Sequence, residues 1–372
     1  MEIAWFSDTW LPTIDGVVRS MLMFKKELEK KGNNIYIFVP GKENSNNDKI
    51  FYYKSKPFSK YKNYRIASIL SLLSKRTENI IKKIEPSVIH SHSPGILGIH
   101  AIIASYKHKL PLFFTFHTFV SDSIYLLFHG KMQEIAKKML DAWLKWYMKR
   151  CSCIIAPSNF VAKEIKRKFG IDALIMPTGI DTKRFEKGDG KKIRKKYGNK
   201  KIVLHVGRIV KEKNIDLLIK AAPYILKKED VIFIIVGEGP AKEEMKEMVK
   251  RKGLQKHFVF TGFVPDEELI EYYKAADVFA FPSIYETQGI VAFEAMAASI
   301  PIAAARYKAI PDFIKDGYNG YLFNPFDARE MAEKIIAAMN DKDIVKNALE
   351  FVKQYSIEKM ADRLLEIYER HC

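Results

Sequence analysis

Cysteine is scarce in this sequence, and the three cysteines present do not form a set. Cys151 and Cys153 open an apolar run, and Cys372 is the last residue. An odd number of cysteines at this spacing fits neither a disulfide framework nor a zinc site. We therefore expect buried free thiols.

Long apolar runs are also absent. None approaches the roughly 18–20 residues that a membrane-spanning helix needs. The sequence opens on a strand-like run, Glu2–Phe6, instead of a basic and then apolar signal segment. These features predict a protein that is made and kept in the cytosol.

Acidic residues are too few to balance the basic ones, and the net charge is +18. Residues 1–185 hold 30 Lys and Arg against 15 Asp and Glu, whereas the rest of the chain holds 32 against 29. If the positive charge reflected only a lysine-rich composition like that of thermophile proteins, the excess would be present in both halves. The N-terminal half is therefore expected to face an anionic partner, either a membrane surface or a nucleic acid.

What the sequence does contain is an alternation of apolar, strand-like runs with longer amphipathic segments. This alternation is typical of parallel α/β sheets, and 372 residues suit two domains of that class. The strands predicted in the first half are 2–7, 35–39, 87–91, 112–116 and 152–156. A polar run over 186–192 indicates a linker or the start of the second domain.

Two features of the first half indicate a ligand site. The loop Ser7–Val17 is long for a strand-to-helix turn and places Gly16 at the start of a helix over 17–31. A glycine there lets backbone approach a phosphate, although a plain turn glycine gives the same pattern. His92 and His117 each follow a strand, where a lone histidine is more often structural. Two at one sheet edge favour a ligand site, but no third residue stands at metal-ligand spacing.

Residues 120–150 combine apolar, aromatic and basic side chains. An apolar cluster at 125–128 precedes a helix with apolar residues at steps of three or four. These residues are Met132, Ile135, Met139, Trp143 and Tyr147, alongside Lys137, Lys138, Lys145, Lys149 and Arg150. Such a helix can lie in a lipid interface, or it can pack on a core with its basic face in water. The charge of this half favours membrane contact.

The second half begins with a strand over 201–206 that runs into Gly207 and Arg208, with Lys213 just before the next helix. Two cations in one strand-to-helix loop can neutralise a diphosphate, Arg by a fork of donors and Lys as a point charge. The run Gly237–Pro240 is an incomplete glycine motif, which we interpret as a turn before a helix.

The stretch Ser283–Ala297 is the predicted working centre of the chain. It places Glu286 in a strand-to-helix loop and Glu294 inside the following helix. Free amides over 287–289 at the helix start can hold a phosphate. Carboxylates offer only acceptors, so their natural partners are sugar or ribose hydroxyls.

These two acids, with Gly289 between them, resemble the two-glutamate motif of the retaining glycosyltransferases of family 4. The sequence Glu-Thr-Gln-Gly-Ile-Val is similar to that of the branch that glycosylates diacylglycerol and related membrane lipids. The resemblance to the family covers nearly the whole chain. It implies a GT-B fold, in which two Rossmann-like parallel-sheet domains face each other across a cleft. The N-terminal acceptor-binding domain would comprise residues 1–185 and a final helix, about 356–372, that crosses back to it. The nucleotide-sugar-binding domain would comprise 186–355.

The resemblance also implies roles for individual residues. Arg208 and Lys213 would hold the donor diphosphate, Glu286 a hydroxyl of the transferred sugar, and His117 the sugar near its reacting carbon. The other donor-binding residues would be Gly16, Gly207, Phe263, Val264, Thr287, Gln288, Gly289, Ile290, Val291 and Glu294. Within that set, Glu294 would bind the ribose, Phe263 and Val264 the base, and Gly16 a phosphate.

The chemistry of sugar transfer is consistent with these roles. Breaking the sugar–phosphate bond builds negative charge on the diphosphate, which fixed cations and helix amides stabilise. No Asp-x-Asp motif stands in a suitable loop, so the cations are expected to replace a divalent metal, and no cofactor is expected. If the acceptor hydroxyl attacks from the same face that the leaving group departs from, assisted by a phosphate oxygen, the configuration of the sugar is retained.

The sequence departs from the family pattern at four positions. Asp15 stands where many members have a second glycine. Ser299, Lys308 and Ala309 stand where glycines are common, and we expect them to affect local turns more than the chemistry.

The sequence thus predicts a retaining hexosyltransferase of the EC 2.4.1 type that moves glucose from UDP-glucose to diacylglycerol or a similar lipid. It is expected to be cytoplasmic and bound peripherally to the inner face of the cell membrane, with no nucleic-acid partner. The main alternative is a GDP-mannose-dependent mannosyltransferase acting on a lipid or polysaccharide precursor. A GT-B sugar-nucleotide epimerase would release nucleotide without an acceptor, and a nucleic-acid binder would not need the two glutamates.

Overall fold

The structure is a computed structural model that describes residues 1–58, 61–119 and 130–371. The chain forms two compact units, Met1–Gly179 with Ile357–Cys372, and Ile180–Ser356. The first boundary lies earlier than the predicted residue 185, because Ile180 already pairs with the backbone of the second unit. Its amide donates to the carbonyl oxygen of Tyr355 over 2.9 Å.

The N-terminal unit is built on one mainly parallel sheet. Its strands are β1 (Glu2–Phe6), β2 (Asn34–Gly41), β3 (Ser45–Asn47), β4 (Ile50–Phe58), β5 (Tyr61–Ala67), β6 (Val88–Ser91), β7 (Leu112–Thr115), β8 (Cys153–Ala156) and β9 (Leu174–Ile175). They lie in the order β3-β4-β2-β1-β6-β7-β8-β9, and β5 pairs with β4. All five predicted strands are present. The other four strands, β3, β4, β5 and β9, were not predicted, and β3 and β5 are antiparallel additions to β4.

Helices connect these strands and bury their apolar faces against the sheet. They are α1 (Gly16–Lys30), α2 (Arg76–Ile84), α3 (Ile96–His108), α4 (Lys131–Met148) and α5 (Asn159–Phe169). Helix α1 begins at the predicted Gly16 because the Asp15 carboxylate accepts the amide hydrogen of Val18 over 2.9 Å, an N-cap. One apolar stripe, which includes Met21 and Leu28, turns to the core.

The C-terminal unit has a parallel sheet throughout. Its strands are β10 (Lys201–Val206), β11 (Val231–Val236), β12 (Phe258–Gly262), β13 (Val278–Phe281), β14 (Ile302–Ala305) and β15 (Tyr321–Phe323). The helices are α6 (Lys191–Tyr197), α7 (Ile215–Leu226), α8 (Lys242–Arg251), α9 (Asp266–Ala275), α10 (Ile290–Ala297), α11 (Ile310–Phe313), α12 (Ala328–Asn340) and α13 (Asp343–Lys353). All residues of β11 are apolar and buried, as a parallel strand covered on both faces requires.

The last helix, α14 (Ile357–Glu369), belongs to the N-terminal unit. Tyr368 is fully buried, and its hydroxyl accepts a hydrogen bond from Trp5 Nε1 over 3.2 Å. Lys31 forms an ion pair with Asp362 at 2.6 Å. The C-terminal helix therefore crosses back to the N-terminal domain, as the fold class predicted.

Two of the three cysteines fall within the described residues, and both are free thiols as expected. Cys153 is buried and Cys151 is half-buried. Burial raises the pKa of the Cys153 thiol to about 11. At neutral pH the thiol is therefore protonated and unreactive.

Candidate active site

The strand order of the C-terminal unit indicates where a ligand binds. The order β12-β11-β10-β13-β14-β15 runs outward from β10 on one side and from β13 on the other. The order therefore reverses between β10 and β13, which pair directly. In open α/β sheets, ligands bind outside the carboxyl ends of the strands at such a switch point. The loops that follow β10 and β13 are those that contain the predicted cations and acids.

Arg208 and Lys213 both lie in the loop after β10. Arg208 is exposed, and within the described part of the chain it has no ion-pair partner. Lys213 ends a short 3-10 helix, Lys211–Lys213. The next residue, Asn214, donates its side-chain amide to the carbonyl oxygen of Pro282 over 3.2 Å. This bond ties the loop after β10 to the loop after β13.

Lys213 and Glu286 form an ion pair across the switch point. Lys213 Nζ lies 2.5 Å from Glu286 Oε1, and the two side chains are only 21% and 10% exposed. The structure therefore brings together two of the predicted catalytic residues, which are 73 positions apart in sequence. With Arg208 in the same loop as Lys213, this end of the sheet presents two cations and one carboxylate.

Two glycines after β11 determine the path of the Arg208 loop. A Cβ at Gly237 would stand 1.9 Å from the carbonyl oxygen of Gly207, and one at Gly239 would stand 2.2 Å from that of Ile209. Only glycine allows so close an approach of two backbones. The incomplete glycine motif, which was predicted only as a turn, thus allows close packing against the backbone of the Arg208 loop.

The helix after β13 begins later than predicted. Gly289 is its N-cap with φ 90°, and α10 starts at Ile290. The amides at the helix start are therefore those of Ile290 and Val291, and those of Thr287 and Gln288 lie in the preceding loop. Of the amides predicted over 287–289, only that of the N-cap Gly289 therefore lies at the helix start, and phosphate binding by these amides stays a prediction. The positive φ of Gly289 separates the loop from the first helical turn.

Glu294 lies inside α10, as predicted, but its side chain is fully buried. Its Oε2 accepts a hydrogen bond from the Tyr273 hydroxyl over 2.9 Å, and its Oε1 lies 4.0 Å from an Arg184 guanidinium nitrogen. Neither partner was predicted from the sequence. The available signal for Arg184 was the run Asp181–Phe185, which lies just after the boundary between the units and contains two basic residues. Binding of ribose by Glu294 stays a prediction that requires these contacts to open.

Phe263 and Val264 lie in the loop between β12 and α9. Phe263 is 67% exposed, whereas Val264 is buried. An exposed aromatic ring at the carboxyl end of a strand can stack on a planar base. The structure leaves Phe263 available for that role, whereas contact of the buried Val264 with the base stays a prediction.

Gly16 lies at the corresponding switch point of the N-terminal sheet, between β1 and β6. It is exposed, and a Cβ built on it would meet no atom of the described chain within 4 Å. Packing within the described unit therefore does not require glycine there. The neighbouring Asp15, which departs from the family pattern, caps α1 and also accepts a hydrogen bond from the Tyr64 hydroxyl over 3.2 Å.

His92 and His117 meet at the carboxyl ends of β6 and β7. His92 Nδ1 lies 3.1 Å from His117 Nε2, and the His92 ring stacks on the His90 ring at 4.3 Å. Burial lowers the pKa of His117 to about 4 and that of His92 well below its usual range. Both rings are therefore neutral at pH 7. Among the described residues, no group of three or more His, Cys, Asp and Glu side chains is arranged to hold a metal ion.

The predicted amphipathic helix is α4, and its two ends differ. Met132, Ile135 and Met139 are exposed. Tyr147 is fully buried, and Trp143 donates a hydrogen bond to the carbonyl oxygen of Pro94 over 2.9 Å. The first half thus presents apolar side chains to solvent, and the second half packs on the core. The apolar cluster at 125–128 lies outside the described residues.

A second apolar surface of the same unit was not predicted. The 3-10 helix Ile69–Leu73 has no buried residue, and Leu73 is 84% exposed. A groove of about 370 Å³ lies in the same unit. Its apolar lining residues are Ile66, Pro94, Ile96, Ile99 and Trp143. In the described chain, no helix is both long and apolar enough to cross a bilayer.

Comparison with known proteins shows two family matches. A family described as glycosyl transferases group 1 matches residues 187–356. A second, glycosyltransferase family 4, matches residues 14–184. Together they account for both units.

Curated relatives match over almost the entire chain. The alpha-monoglucosyldiacylglycerol synthase of Streptococcus pneumoniae is 30% identical over 99% of this chain and 85% of the relative. The enzyme of the same name from Acholeplasma laidlawii is 31% identical over 99% and 96%. A GDP-mannose-dependent alpha-mannosyltransferase of Corynebacterium glutamicum is 28% identical over 99% and 88%.

Among solved structures, Anabaena HepE in complex with UDP has the same fold. It superposes with a TM-score of 0.79 over 100% of both chains at 19% identity. At this identity the match shows the fold alone. It agrees with the two parallel-sheet, Rossmann-like units of a GT-B protein.

Proposed function

Because the chain belongs to glycosyltransferase family 4, we propose that it transfers glucose from UDP-glucose to a membrane lipid such as diacylglycerol, with retention of configuration. Both alpha-monoglucosyldiacylglycerol synthases align over 99% of this chain, so the proposal applies to both units. Sugar transfer is the activity of the family, and the donor, the acceptor and the stereochemistry are the proposed parts.

The observation that carries the donor half of the proposal is the group of charges at the β10–β13 switch point. Exposed Arg208 and the Lys213 ammonium lie in one loop, and the first turn of α10 offers the amides of Ile290 and Val291. The departing UDP gains negative charge as the sugar–phosphate bond breaks. Cations and amides that are already in place stabilise that charge more in the transition state than in the ground state.

The same residues support a reaction without a divalent metal. Arg208 and Lys213 supply the positive charge that a divalent metal ion would otherwise provide to neutralise the diphosphate. Glu286 lies beside Lys213 and offers carboxylate oxygens to hydroxyls of the transferred sugar. We assign no enzymic nucleophile. The acceptor hydroxyl attacks from the face of the leaving group, and a phosphate oxygen takes its proton.

The acceptor half of the proposal is supported by the N-terminal unit. Residues 1–185 carry twice as many basic as acidic side chains. Exposed apolar residues lie close to exposed lysines in the sequence, with Leu73 two positions before Lys75 and Met139 directly after Lys138. Basic side chains attract an anionic leaflet, and apolar ones enter its interface. We propose peripheral binding to the cytoplasmic face of the membrane, where the apolar groove receives part of the lipid.

The experiment that tests the proposal supplies UDP- and GDP-sugars to the purified protein, with and without diacylglycerol liposomes. The expected result is release of UDP from UDP-glucose only when diacylglycerol is present, even with EDTA added. Formation of α-glucosyldiacylglycerol, identified by NMR, establishes retention. Arg208→Ala should abolish most of the release, and Lys211→Ala serves as its matched control because Lys211 is an exposed cation in the same loop.

The same panel tests a second candidate, a GDP-mannose-dependent mannosyltransferase, which the Corynebacterium glutamicum relative favours. Turnover of GDP-mannose and not of UDP-glucose would replace the proposed donor. Release of nucleotide together with an epimerised free sugar, without any acceptor, would replace transfer by epimerisation.

A further inference from the structure

A buried chain of hydrogen bonds fixes the proton position on His90. Trp5 Nε1 can only donate, so the Tyr368 oxygen accepts from it at 3.2 Å. The Tyr368 hydroxyl therefore donates its own hydrogen to His90 Nδ1, which lies 2.5 Å away. His90 carries its proton on Nε2 and donates it to Thr115 Oγ1 over 2.8 Å. The C-terminal helix thus determines the tautomer of a histidine at the end of β6.

His92 is held in place by this chain. Its ring stacks on His90 at 4.3 Å, and the Trp5 ring meets it edge-on at 5.0 Å. His92 Nε2 is buried and has no hydrogen-bond partner among the residues that the structure describes. A buried N–H without an acceptor is rarer and costlier than a bare acceptor atom. The proton of His92 therefore sits on Nδ1, the nitrogen that faces His117.

We infer that His92 is a positioning residue for His117: its Nδ1–H donates to His117 Nε2, fixes the orientation of that ring and keeps its proton on Nδ1. The inference rests on the proposed function for the role of His117 beside the transferred sugar. The 3.1 Å distance between the two nitrogens requires one donor and one acceptor, and only His117 is left to accept.

The consequence for transfer is chemical. The pKa of His117 is lowered to about 4 by burial, so at neutral pH the ring acts as a neutral group. When Nε2 of the neutral His117 ring accepts the bond from His92, the ring can offer another group only the N–H donor at Nδ1. Loss of the bond from His92 would let the proton move to Nε2 and turn Nδ1 into an acceptor.

The direct test is ¹⁵N NMR of the full-length protein with labelled histidine, which distinguishes protonated from bare ring nitrogens without any turnover. His117→Gln assigns the His117 signals by their disappearance. The expected spectrum shows His117 protonated at Nδ1 and bare at Nε2, and His92→Phe should shift His117 toward the other tautomer. A wild-type spectrum with the proton on His117 Nε2 would overturn the inference.

Kinetics with UDP-glucose and diacylglycerol liposomes give the functional readout. His92→Phe should lower kcat about ten- to hundredfold, the size of loss that follows removal of a partner that orients a metal-binding histidine, with KM for UDP-glucose little changed. His92→Asn keeps an N–H at the position of Nδ1 and should restore most of the rate. Equal losses in both variants would mean that His92 is only structural.

A histidine at the opposite edge of a sheet provides the control. His257 precedes β12, and its Nδ1 lies 3.2 Å from the carbonyl oxygen of Val231 at the amino end of β11. His257→Phe should therefore lower the melting temperature and leave kcat nearly intact. If His117 has no role beside the sugar, the result is different. His117→Gln would then leave turnover unchanged, while the wild-type NMR spectrum would still show the inferred tautomer of His117.

Discussion

Lys213 Nζ lies 2.5 Å from Glu286 Oε1, so two residues predicted to hold different parts of the donor form an ion pair with each other. An ammonium has three hydrogens to donate, and one of them serves Glu286. The others remain for phosphate oxygens, while the second oxygen of Glu286 can accept from a sugar hydroxyl. The pair therefore keeps the positive charge of Lys213 in a fixed place before the donor arrives.

This pairing predicts that the two residues act as one unit in catalysis. Lys213→Ala and Glu286→Gln should each reduce transfer by about a hundredfold or more, the usual effect of removing a group that stabilises transition-state charge. The double variant should lose much less than the product of the two, because either change already breaks the pair. Initial rates for the four proteins of this cycle provide the measurement.

Lys211→Ala is the control for the pair, and liposome binding should persist in every variant. Unchanged turnover in both single variants would remove the assignment of the site. Fully additive losses would show instead that the two residues contribute independently.

Most of the parallel strands could be predicted because each contains a short apolar run. Strand β11 reads Val-Ile-Phe-Ile-Ile-Val and is buried throughout. Strand β3 could not be predicted, since Ser45–Asn47 is exposed and pairs only through its backbone. The Lys213–Glu286 pair was also beyond sequence reasoning, because it depends on the adjacency of β10 and β13 in the sheet.

The departures from the family glycines have a local explanation that the residue types alone could not give. Ser299 and Lys308 both adopt positive φ, at 62° and 47°. They therefore keep the left-handed backbone that glycine would adopt without strain. The Lys308 ammonium also lies 4.2 Å from the centre of the Tyr285 ring, a cation–π contact that glycine would lose.

Ser299 lies at the C′ position of a Schellman motif that ends α10. Its amide donates to the carbonyl oxygen of Met296 over 3.1 Å, and the amide of Ile300 donates to that of Ala295 over 3.0 Å. Ser299→Gly should raise the free energy of unfolding by roughly 0.5–1 kcal/mol, because it removes the left-handed strain of a side chain. Urea denaturation measures the change.

Ser68→Gly is the matched control, since Ser68 has an ordinary φ of −68°. That substitution should lower stability, because glycine gains freedom in the unfolded chain. The same sign of change in both variants would contradict the explanation from φ.

Buried histidines should make stability fall in mild acid. Burial lowers the pKa of His100 to about 4, against 6.5 for an unperturbed histidine. Between these values the unfolded chain binds a proton that the native state excludes. The stabilisation is therefore fully present above about pH 6.5 and is lost as the pH falls toward 4, by at most about 1.4 kcal/mol per pH unit.

His100→Gln removes this proton and should show a shallower loss of stability than the wild type. Urea denaturation at about pH 7 and about pH 5.5 gives the comparison, since only the difference in slope matters. Parallel slopes would mean that His100 is protonated in the native state.

Binding to anionic vesicles should depend on both charge and exposed apolar residues of the N-terminal unit. Raising the salt concentration from about 0.1 to about 0.5 M should weaken binding to phosphatidylglycerol vesicles, because salt screens exposed charges. Leu73→Ser should weaken binding by about tenfold at every salt concentration, since an exposed leucine that enters the interface contributes one to two kcal/mol, roughly. Vesicle co-sedimentation measures both effects.

The matched control is Phe326→Ser, which removes an exposed apolar side chain from the C-terminal unit. It should leave binding unchanged. The unfolding midpoint of Leu73→Ser should stay at the wild-type value because Leu73 makes little contact with the core. If salt has no effect on binding, the prediction of electrostatic docking is wrong. If Phe326→Ser weakens binding as much as Leu73→Ser, the membrane does not bind selectively to the N-terminal unit.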